Sequence, residues 1–386
     1  MLNVKVENFK LPQGMNLVID DMGWLYGRDQ RDRGLPSRTG IPRAHTLEDY
    51  QVIEAVGEKV DMKINAMFVI GEWDRRRTLA KVPGSNKWGA DWERSEYFDE
   101  AQLHEIRDFL NSSRYIELGF HGLLHDSWDE QGNFLCDGEF FQPEGNVRGN
   151  PMHLAAPDYI RRHMDAFFEI YHDWDLKCPI RTYASPCGSK NGLINGGLTP
   201  ILKEYGIRFW HNGGKPEVWG NYVPCVQNGV VVSRKAFSLA PWEAYDLDPE
   251  DLPMAPEERL GILCGHWVNF LRYNPKRNME RVDAWAEYIK RQAQNFGVMQ
   301  AQEVSQCHYQ GLYVKYATVT ERNGVITLDV SQVDALLPGV EADLFVNVKG
   351  EMPRCVGGEI SLFRKQDAFA TYRIRRQKGV AKITLQ

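Results

Sequence analysis

Short apolar runs alternate with amphipathic stretches along residues 14–300. Runs of strand length lie at 15–19, 63–70, 115–118, 180–183, 207–210, 230–233 and 262–265. Apolar residues at helical spacing lie between them at 46–60, 99–110, 158–171, 199–205 and 279–296. Alternating strands and helices predict a parallel sheet that is covered by helices. Because the unit repeats as far as residues 298–299, the sequence predicts a distorted parallel (β/α) barrel.

The pattern changes after Ser305, where helical spacing stops. Short β runs separated by Gly or Pro follow at 325–330, 344–348, 360–363, 371–374 and 380–385. We therefore predict a barrel domain at 1–306 and a small antiparallel β-sandwich at 307–386. Residues 349–386 carry nine Lys or Arg against three Asp or Glu. This excess favours binding of an anionic glycan or docking on the barrel, with plain packing as the alternative.

Composition is typical of an ordinary globular protein. The 386 residues are 43% hydrophobic and 25% charged, which is enough for a sizeable core. A net charge of −6 argues against a nucleic-acid partner, which calls for a basic surface. Seven cysteines without a CxxC pair indicate reduced thiols. The N-terminus shows no leader pattern and no stretch approaches membrane-spanning length, so we expect a cytoplasmic protein without a membrane partner, although a trimmed leader would leave the same appearance. The oligomeric state cannot be predicted.

Two imidazoles lie four residues apart, at His121 and His125, just after a predicted strand and Gly119. On one turn of helix, residues i and i+4 lie on the same face, so both rings can reach one ion. The alternative is a half-buried helical face. A metal half-site of this kind still needs an anionic ligand and, for catalysis, an open position for water.

Adjacent carboxylates follow the first predicted strand, at Asp20 and Asp21. Like charges this close resist joint ionisation unless a cation lies nearby. A solvated turn or a helix cap is the alternative. Further candidates stand at other predicted strand ends: His121, Pro186, Trp210 and His266. Active residues of parallel barrels gather at the carboxyl ends of the strands, so we expect these side chains on one rim.

These motifs, in this order, resemble the polysaccharide deacetylases of carbohydrate esterase family 4, which have the NodB homology fold. That family opens with a strand ending in Asp-Asp-Gly and continues with Glu-hydrophobic-Gly-x-His-x-x-x-His. An Arg/Pro/Gly loop, a Trp-bearing strand end and a late hydrophobic-x-His follow. The matching segments here are 19–23, 117–125, 185–188, 209–210 and 262–266. The resemblance covers residues 14–306 and implies a barrel of the NodB type.

The resemblance implies a metal-dependent hydrolase that removes acetyl groups from an N- or O-acetylated carbohydrate. Asp21, His121 and His125 would be the metal ligands, with zinc as the expected ion and cobalt, nickel or iron also compatible. Asp20 would be the base that takes a proton from the attacking water. His266 would protonate the leaving group, although a histidine in this apolar segment can also be a core residue.

The resemblance also implies a substrate pocket with a backbone N–H that stabilises the tetrahedral oxyanion. That donor is expected within residues 183–187. The expected substrate contacts are Trp24, Tyr183, Pro186, Cys187, Gly188, Trp210 and Trp267. Trp210 and Trp267 would either form the wall of an apolar pocket for the acetyl methyl group or fill core.

The chain departs from the family pattern at two informative places. Ala184 stands two residues before Pro186, where the family usually has an Arg that orients the base, and the nearest arginine is Arg181. His211 follows Trp210, near which the family often has a carboxylate partner for the acid. Two other functions stay open: a metal amidohydrolase acting on a small non-sugar C–N substrate, and a non-catalytic glycan-binding protein.

Overall fold

The computed structural model describes residues 6–28, 38–186, 197–212 and 224–386. Its strands are β1 (Phe9–Lys10), β2 (Gln13–Met15), β3 (Leu17–Met22), β4 (Ile64–Val69), β5 (Ile116–Gly122), β6 (Ser127–Trp128), β7 (Phe134–Cys136), β8 (Phe141–Pro143), β9 (Met152–Leu154), β10 (Thr182–Ala184), β11 (Phe209–Asn212), β12 (Cys225–Gln227), β13 (Val230–Ser238), β14 (Ile262–His266), β15 (Val298–Gln300), β16 (Thr318–Arg322), β17 (Val325–Asp329), β18 (Leu344–Val348), β19 (Cys355–Val356), β20 (Gly358–Lys365), β21 (Ala370–Arg376) and β22 (Lys382–Leu385). Its helices are α1 (Leu47–Val60), α2 (Glu100–Ser112), α3 (Pro157–Asp173), α4 (Leu198–Glu204), α5 (Val282–Ala293), α6 (Val304–Tyr316) and α7 (Ser331–Leu336).

A closed barrel of seven parallel strands lies at the centre of the described ranges. The strand order around the wall is β11, β10, β5, β4, β3, β14 and β13, and β13 pairs with β11 to close it. Helices α1 to α4 each follow one wall strand and precede the next. The predicted (β/α) barrel is confirmed. We call the edge formed by the carboxyl ends of these strands the rim.

The strands of the barrel contribute side chains to more than one hydrophobic core. Phe68, Phe120 and Phe167 belong to the large core that contains residues of both the strands and the helices around the barrel. A smaller core contains Met67 of β4, Cys307 of α6 and Phe345 of β18. This smaller core therefore joins strands of the barrel to α6 and β18.

Two four-stranded antiparallel sheets follow the barrel. One has the order β1, β18, β21, β20 and the other β16, β17, β22, β19. Both sheets contribute to one hydrophobic core, through Val346 and Ile374 of the first and Leu328 and Ile383 of the second. This arrangement agrees with the predicted antiparallel β unit, except that β1 comes from the beginning of the chain.

The prediction that helices end at Ser305 is wrong, because α6 covers Val304–Tyr316 and α7 covers Ser331–Leu336. Helix α6 has buried residues on several sides, since it contacts both the barrel and the antiparallel sheets. A helix of that kind has no single apolar stripe that periodicity can detect. The predicted domain boundary between residues 306 and 307 falls inside α6.

Buried hydrogen bonds join α6 and the barrel to the antiparallel sheets. The side-chain amide of Gln310 donates to the carbonyls of Pro12 and Phe345, each at 2.9 Å, and its oxygen accepts the Phe345 N–H at 3.0 Å. Asn347 donates to the carbonyls of Phe296 and Val298 at 2.8 and 2.7 Å. Gln310 and Asn347 therefore join the barrel, α6 and the antiparallel sheets through buried side-chain hydrogen bonds.

Two further sequence predictions concern the cysteine thiols and membrane-spanning segments. The six cysteines in the described ranges are free thiols. Within the same ranges, no helix has the length and apolar content that crossing a bilayer requires.

Of the basic residues after Lys349, Arg364 contacts the barrel, where it donates to the Gln300 carbonyl at 3.0 Å and pairs with Asp61 at 3.0 Å.

His308 of α6 is a buried titratable group. It is fully buried, and its ring lies 4.7 Å from that of Phe209 and 4.8 Å from that of His211, measured between centroids. Burial lowers the pKa of His308 to about 3. The unfolded chain takes up a proton here below about pH 6.5, whereas the folded chain does so only near its own lower pKa. His308 therefore makes the free energy of unfolding fall as the pH drops below about 6.5.

We expect His308→Phe to flatten the acid side of the stability profile. Between pH 7 and pH 5, wild type should lose about 2 kcal/mol more of its free energy of unfolding than the variant, since one proton contributes about 1.4 kcal/mol per pH unit in that range. Urea unfolding at both pH values measures the difference. His104→Phe, which changes a residue with a 42% exposed side chain, serves as the control. Equal losses in wild type and His308→Phe would contradict a neutral His308 in the fold.

Candidate metal centre

Three side chains from distant parts of the chain lie together at the rim: Asp21, His121 and His125. Their candidate ligand atoms are all within 4.8 Å of one another, and all three residues are buried. The Nε2 atoms of His121 and His125 lie 3.4 and 3.5 Å from Oδ1 of Asp21. One carboxylate oxygen and two imidazole nitrogens form a donor set that suits a divalent transition-metal ion.

The two histidines do not share a turn of helix, so the predicted helical geometry is wrong. His121 lies in β5, which ends at Gly122 with φ of 112°. A side chain at Gly122 would overlap the carboxylate of Glu139, so only glycine fits this bend. After the bend, His125 has φ of 70°, and the two ring centroids lie 5.1 Å apart. The rings meet because the chain bends sharply where the strand ends.

Two of the three candidate ligands have a left-handed backbone conformation. Asp21 has φ of 68° and His125 has φ of 70°, both in the left-handed region. Residues other than glycine pay about 1 kcal/mol or more in this region and persist there when the surroundings fix them. Two strained residues among three candidate ligands are typical of a functional site.

Neighbouring groups fix the orientation of the first histidine and of the bend. Nδ1 of His121 lies 2.9 Å from the Ala184 carbonyl, so Nδ1 carries a proton and Nε2 faces Asp21. Such a partner for the distal nitrogen is usual in metal-ligating histidines. The buried Glu139 carboxylate accepts the Leu123 N–H at 2.6 Å and contacts Nδ1 of His163 at 2.8 Å. The ring of His121 is thus held by its second nitrogen, as is usual for a metal-ligating histidine.

The protonation states also suit a cation. Burial raises the pKa of Asp21. The hydrogen bond with His121 and the interaction with His125 lower that pKa by more than burial raises it, so the pKa of Asp21 lies well below the ordinary value. Burial lowers the pKa of His125 to about 4, partly opposed by Asp21. Burial lowers the pKa of His121 as well, yet Asp20 and Asp21 raise it above the ordinary value. The two carboxylates thus favour positive charge between them, which a divalent ion also provides.

Lys235 is a residue of this site that the sequence analysis missed. Its Nζ lies 2.6 Å from Oδ1 of Asp20 and also contacts Oδ2, and both side chains are buried. Burial raises the pKa of Asp20, whereas Lys235, His121 and His266 lower it to below the ordinary value. The predicted strand ended at Ser233, but β13 continues to Ser238. The sequence signal for this residue was that Lys235 lies two residues beyond the apolar run that ends at Ser233.

His266 also lies at the rim. It ends β14, where it is the register partner of Asp20 in the adjacent strand β3. Its backbone N–H donates to Oδ1 of Asn269 at 2.8 Å. The candidate base and the candidate acid therefore stand on neighbouring strands, next to the candidate metal ligands.

The predicted substrate contacts lie in different surroundings. Tyr183 and Trp210 are register partners of β10 and β11 and belong to the core outside the barrel wall. Trp24 and Trp267 belong to the same core and are at most 1% exposed. The indole N–H of Trp267 donates to the Asp49 carbonyl at 2.9 Å. All four aromatic residues fill core, which for Trp210 and Trp267 is the alternative that the sequence left open.

Pro186 lies near the candidate ligands, since a side chain at Gly122 would come within 3.7 Å of its ring. Gly122 follows His121 directly, so Pro186 is next to the bend of β5. Cys187 and Gly188 lie outside the described residues. The part of the predicted 183–187 segment that the structure describes thus ends beside the site.

Comparison with known proteins adds little to this geometry. No protein-family model matches the chain, and no curated protein is significantly similar to it. The solved structure of 4-α-glucanotransferase from Thermococcus litoralis is similar with a TM-score of 0.38 and 10% identity, over 77% of this chain and 40% of that one. The chain thus spans less than half the length of that enzyme. At this TM-score the likeness carries no conclusion about function.

Proposed function

We propose that the chain is a metal-dependent hydrolase that removes acetyl groups from an N- or O-acetylated carbohydrate, with a barrel of the NodB type. The observation that supports this most directly is the meeting of Asp21, His121 and His125 within 4.8 Å at the rim. The pairing of Asp20 and His266 on the two adjacent strands supplies the remaining acid–base groups. Sites of this composition perform hydrolysis of acyl bonds.

Asp21, His121 and His125 would hold the ion. A divalent ion bound there supplies Lewis acidity toward water and the acyl oxygen. Asp20 accepts the proton of the attacking water, and Lys235, which contacts both of its oxygens, holds that carboxylate in place. His266 donates a proton to the departing amine or alkoxide. Lys235 thus has the orienting role that the family usually gives to an arginine.

A metal amidohydrolase acting on a small non-sugar C–N substrate is the second candidate. The observation in its favour is that Tyr183, Trp210 and Trp267 are buried in the core, so these aromatic residues offer no open face to a sugar ring. The same acid–base groups would serve the cleavage of such an amide. Products separate the two candidates, since only the first releases acetate from acetylated sugars.

Elemental analysis joined to an acetate-release assay tests the proposal. We expect about one transition-metal ion per chain, as the ligand set implies, and acetate release from N-acetylated chitooligosaccharides or O-acetylated xylan that a chelator abolishes. His121→Ala should lose both the metal and the activity. His104→Ala, at a residue with a 42% exposed side chain, should lose neither. Acetate release that survives chelation, or protein that binds no metal at micromolar concentration, would overturn the proposal.

A further inference from the structure

A cavity lies at the end of the barrel where β4, β5 and β10 begin, opposite the rim. It has a volume of about 670 Å³, and its lining includes Lys63 just before β4, Glu117 in β5, Arg181 just before β10 and Glu303 just before α6. That volume is in the range of small-molecule sites in proteins. Active sites of parallel barrels lie at the carboxyl ends of the strands, so the proposed hydrolysis does not account for this cavity. We call it the lower cavity.

Basic residues outnumber acidic ones in the lining of the lower cavity. The charged residues there are Lys63, Arg114, Lys177, Arg181, Asp61, Glu117 and Glu303. Lys63 pairs with Glu303 at 2.7 Å. Within the ranges that the structure describes, neither Arg114 nor Arg181 has an ion-pair partner. Two guanidinium groups are therefore available to an anion, and each can donate to two oxygens of one carboxylate or phosphate group.

Glu117 gives the lower cavity a carboxyl group whose charge changes near neutral pH. Its Oε2 atom is buried and makes no hydrogen bond to any residue that the structure describes. Burial raises the pKa of Glu117 to about 7. Glu303 adds to this rise, whereas Lys63 and Arg181 oppose it. The nearby thiol of Cys178 stays neutral, because burial raises its pKa as well. Near pH 7, Glu117 is thus present both as a carboxylate and as an acid that can donate a hydrogen bond.

We propose that the lower cavity binds a small oxyanion, the carboxylate or phosphate group of a metabolite, between the guanidinium groups of Arg114 and Arg181 and the carboxyl group of Glu117. The acid form of Glu117 donates to the anion, whereas its carboxylate form repels the anion. A ligand that bonds to this side chain also removes the cost of a buried polar atom without a partner. Binding is therefore linked to the uptake of a proton by Glu117, and affinity falls as the pH rises through its pKa.

This site is separate from the candidate metal centre. Glu117 and His121 lie four residues apart in β5, which corresponds to roughly 13 Å along a strand. The inference does not depend on the proposed hydrolysis, because no group of the lower cavity takes part in that reaction.

Isothermal titration calorimetry with sodium fumarate and with sodium sulfate tests the proposal, since neither anion changes its charge between pH 6 and pH 8. At least one of them should bind at the lower pH, and the tighter one identifies a carboxylate or a phosphate-like ligand. Affinity should fall about tenfold from pH 6 to pH 8, because the fraction of Glu117 in the acid form falls by that factor around a pKa of about 7.

Substitutions assign the anion to the lower cavity. Arg114→Gln and Arg181→Gln should each weaken binding about tenfold or more, as the loss of a charge-assisted hydrogen bond implies. Glu117→Gln keeps a donor, so it should retain binding at the lower pH and lose the pH dependence. Arg322→Gln, at an exposed residue of β16, and His121→Ala, at the candidate metal centre, should leave both the affinity and its pH dependence unchanged.

Absence of binding by both anions at millimolar concentration and the lower pH would overturn the lower-cavity site. Binding that Arg114→Gln and Arg181→Gln leave unchanged would also overturn it, as would a pH dependence that persists in Glu117→Gln. Loss of binding in His121→Ala would place the anion at the candidate metal centre and reject the lower cavity.

Discussion

Asp20→Asn is expected to reduce acetate release by about 10²–10⁴-fold, the size of a lost general base, while the metal content of the protein stays unchanged. The amide keeps the shape of the side chain but cannot accept a proton from water. Asp21, His121 and His125 are left in place, so the ion should still bind. Steady-state acetate release and elemental analysis of the same preparation measure the two effects. Loss of metal together with activity would make Asp20 a ligand instead.

The ion pair with Lys235 complicates this variant and also supplies its control. Removing one partner of a buried pair leaves an uncompensated charge, which costs about 3–5 kcal/mol. Asp20→Asn can therefore lose stability as well as activity. The double variant Asp20→Asn with Lys235→Met removes the buried charge and should recover much of the thermal stability without recovering turnover. Turnover that returns with stability would show that Asp20 acts only through the fold.

Lys235→Met alone separates positioning from proton transfer. It leaves the Asp20 carboxylate buried without its ammonium partner, so stability should fall by an amount similar to that in Asp20→Asn. Lys235→Arg, which keeps a donor for both carboxylate oxygens, should retain more activity than Lys235→Met. The two Lys235 variants thus report on the orientation of the base.

The candidate ligands were predictable because their chemistry is local in the sequence. Asp20 and Asp21 are adjacent like charges at the end of an apolar run, and His121 and His125 share a short segment. Parallel-barrel topology then brings strand ends to one rim whatever the details of the backbone. The left-handed conformations of Asp21 and His125 were not predictable, because residues other than glycine adopt them where the surrounding fold fixes them.

Residues whose partners are far away in the sequence were not predicted. Lys235 is 215 residues from Asp20, and nothing near it in the sequence shows that a carboxylate faces it. Conversely, Trp210 and Trp267 follow motifs that suggested a pocket, yet both indoles pack in the core. Side-chain direction at a strand end decides between pocket and core. A shift of one residue in register reverses that direction, and the sequence pattern does not fix the register.

The C-terminal sheets should prove inseparable from the barrel, in contrast to the boundary predicted from periodicity. The hydrophobic core of the sheets contains Phe209 and Val231 of the barrel wall as well as Phe9 of β1. A chain ending at residue 306 would expose these residues and cut α6 within its first turn. We expect that chain to lack a cooperative thermal transition and to aggregate, because apolar patches of this kind are seldom tolerated on a monomer.

Gln310→Leu tests the coupling of the barrel to the antiparallel sheets in the full chain, with a smaller change than truncation. Gln310→Leu leaves the carbonyls of Pro12 and Phe345 and the N–H of Phe345 without their partner, at about 1–3 kcal/mol for each buried group. The melting temperature should fall, and barrel and sheets should still unfold in one transition because they share a core. Differential scanning calorimetry distinguishes the outcomes. Two separate transitions in the full chain, with the upper one unchanged in Gln310→Leu, would mean that the barrel is stable without the sheets.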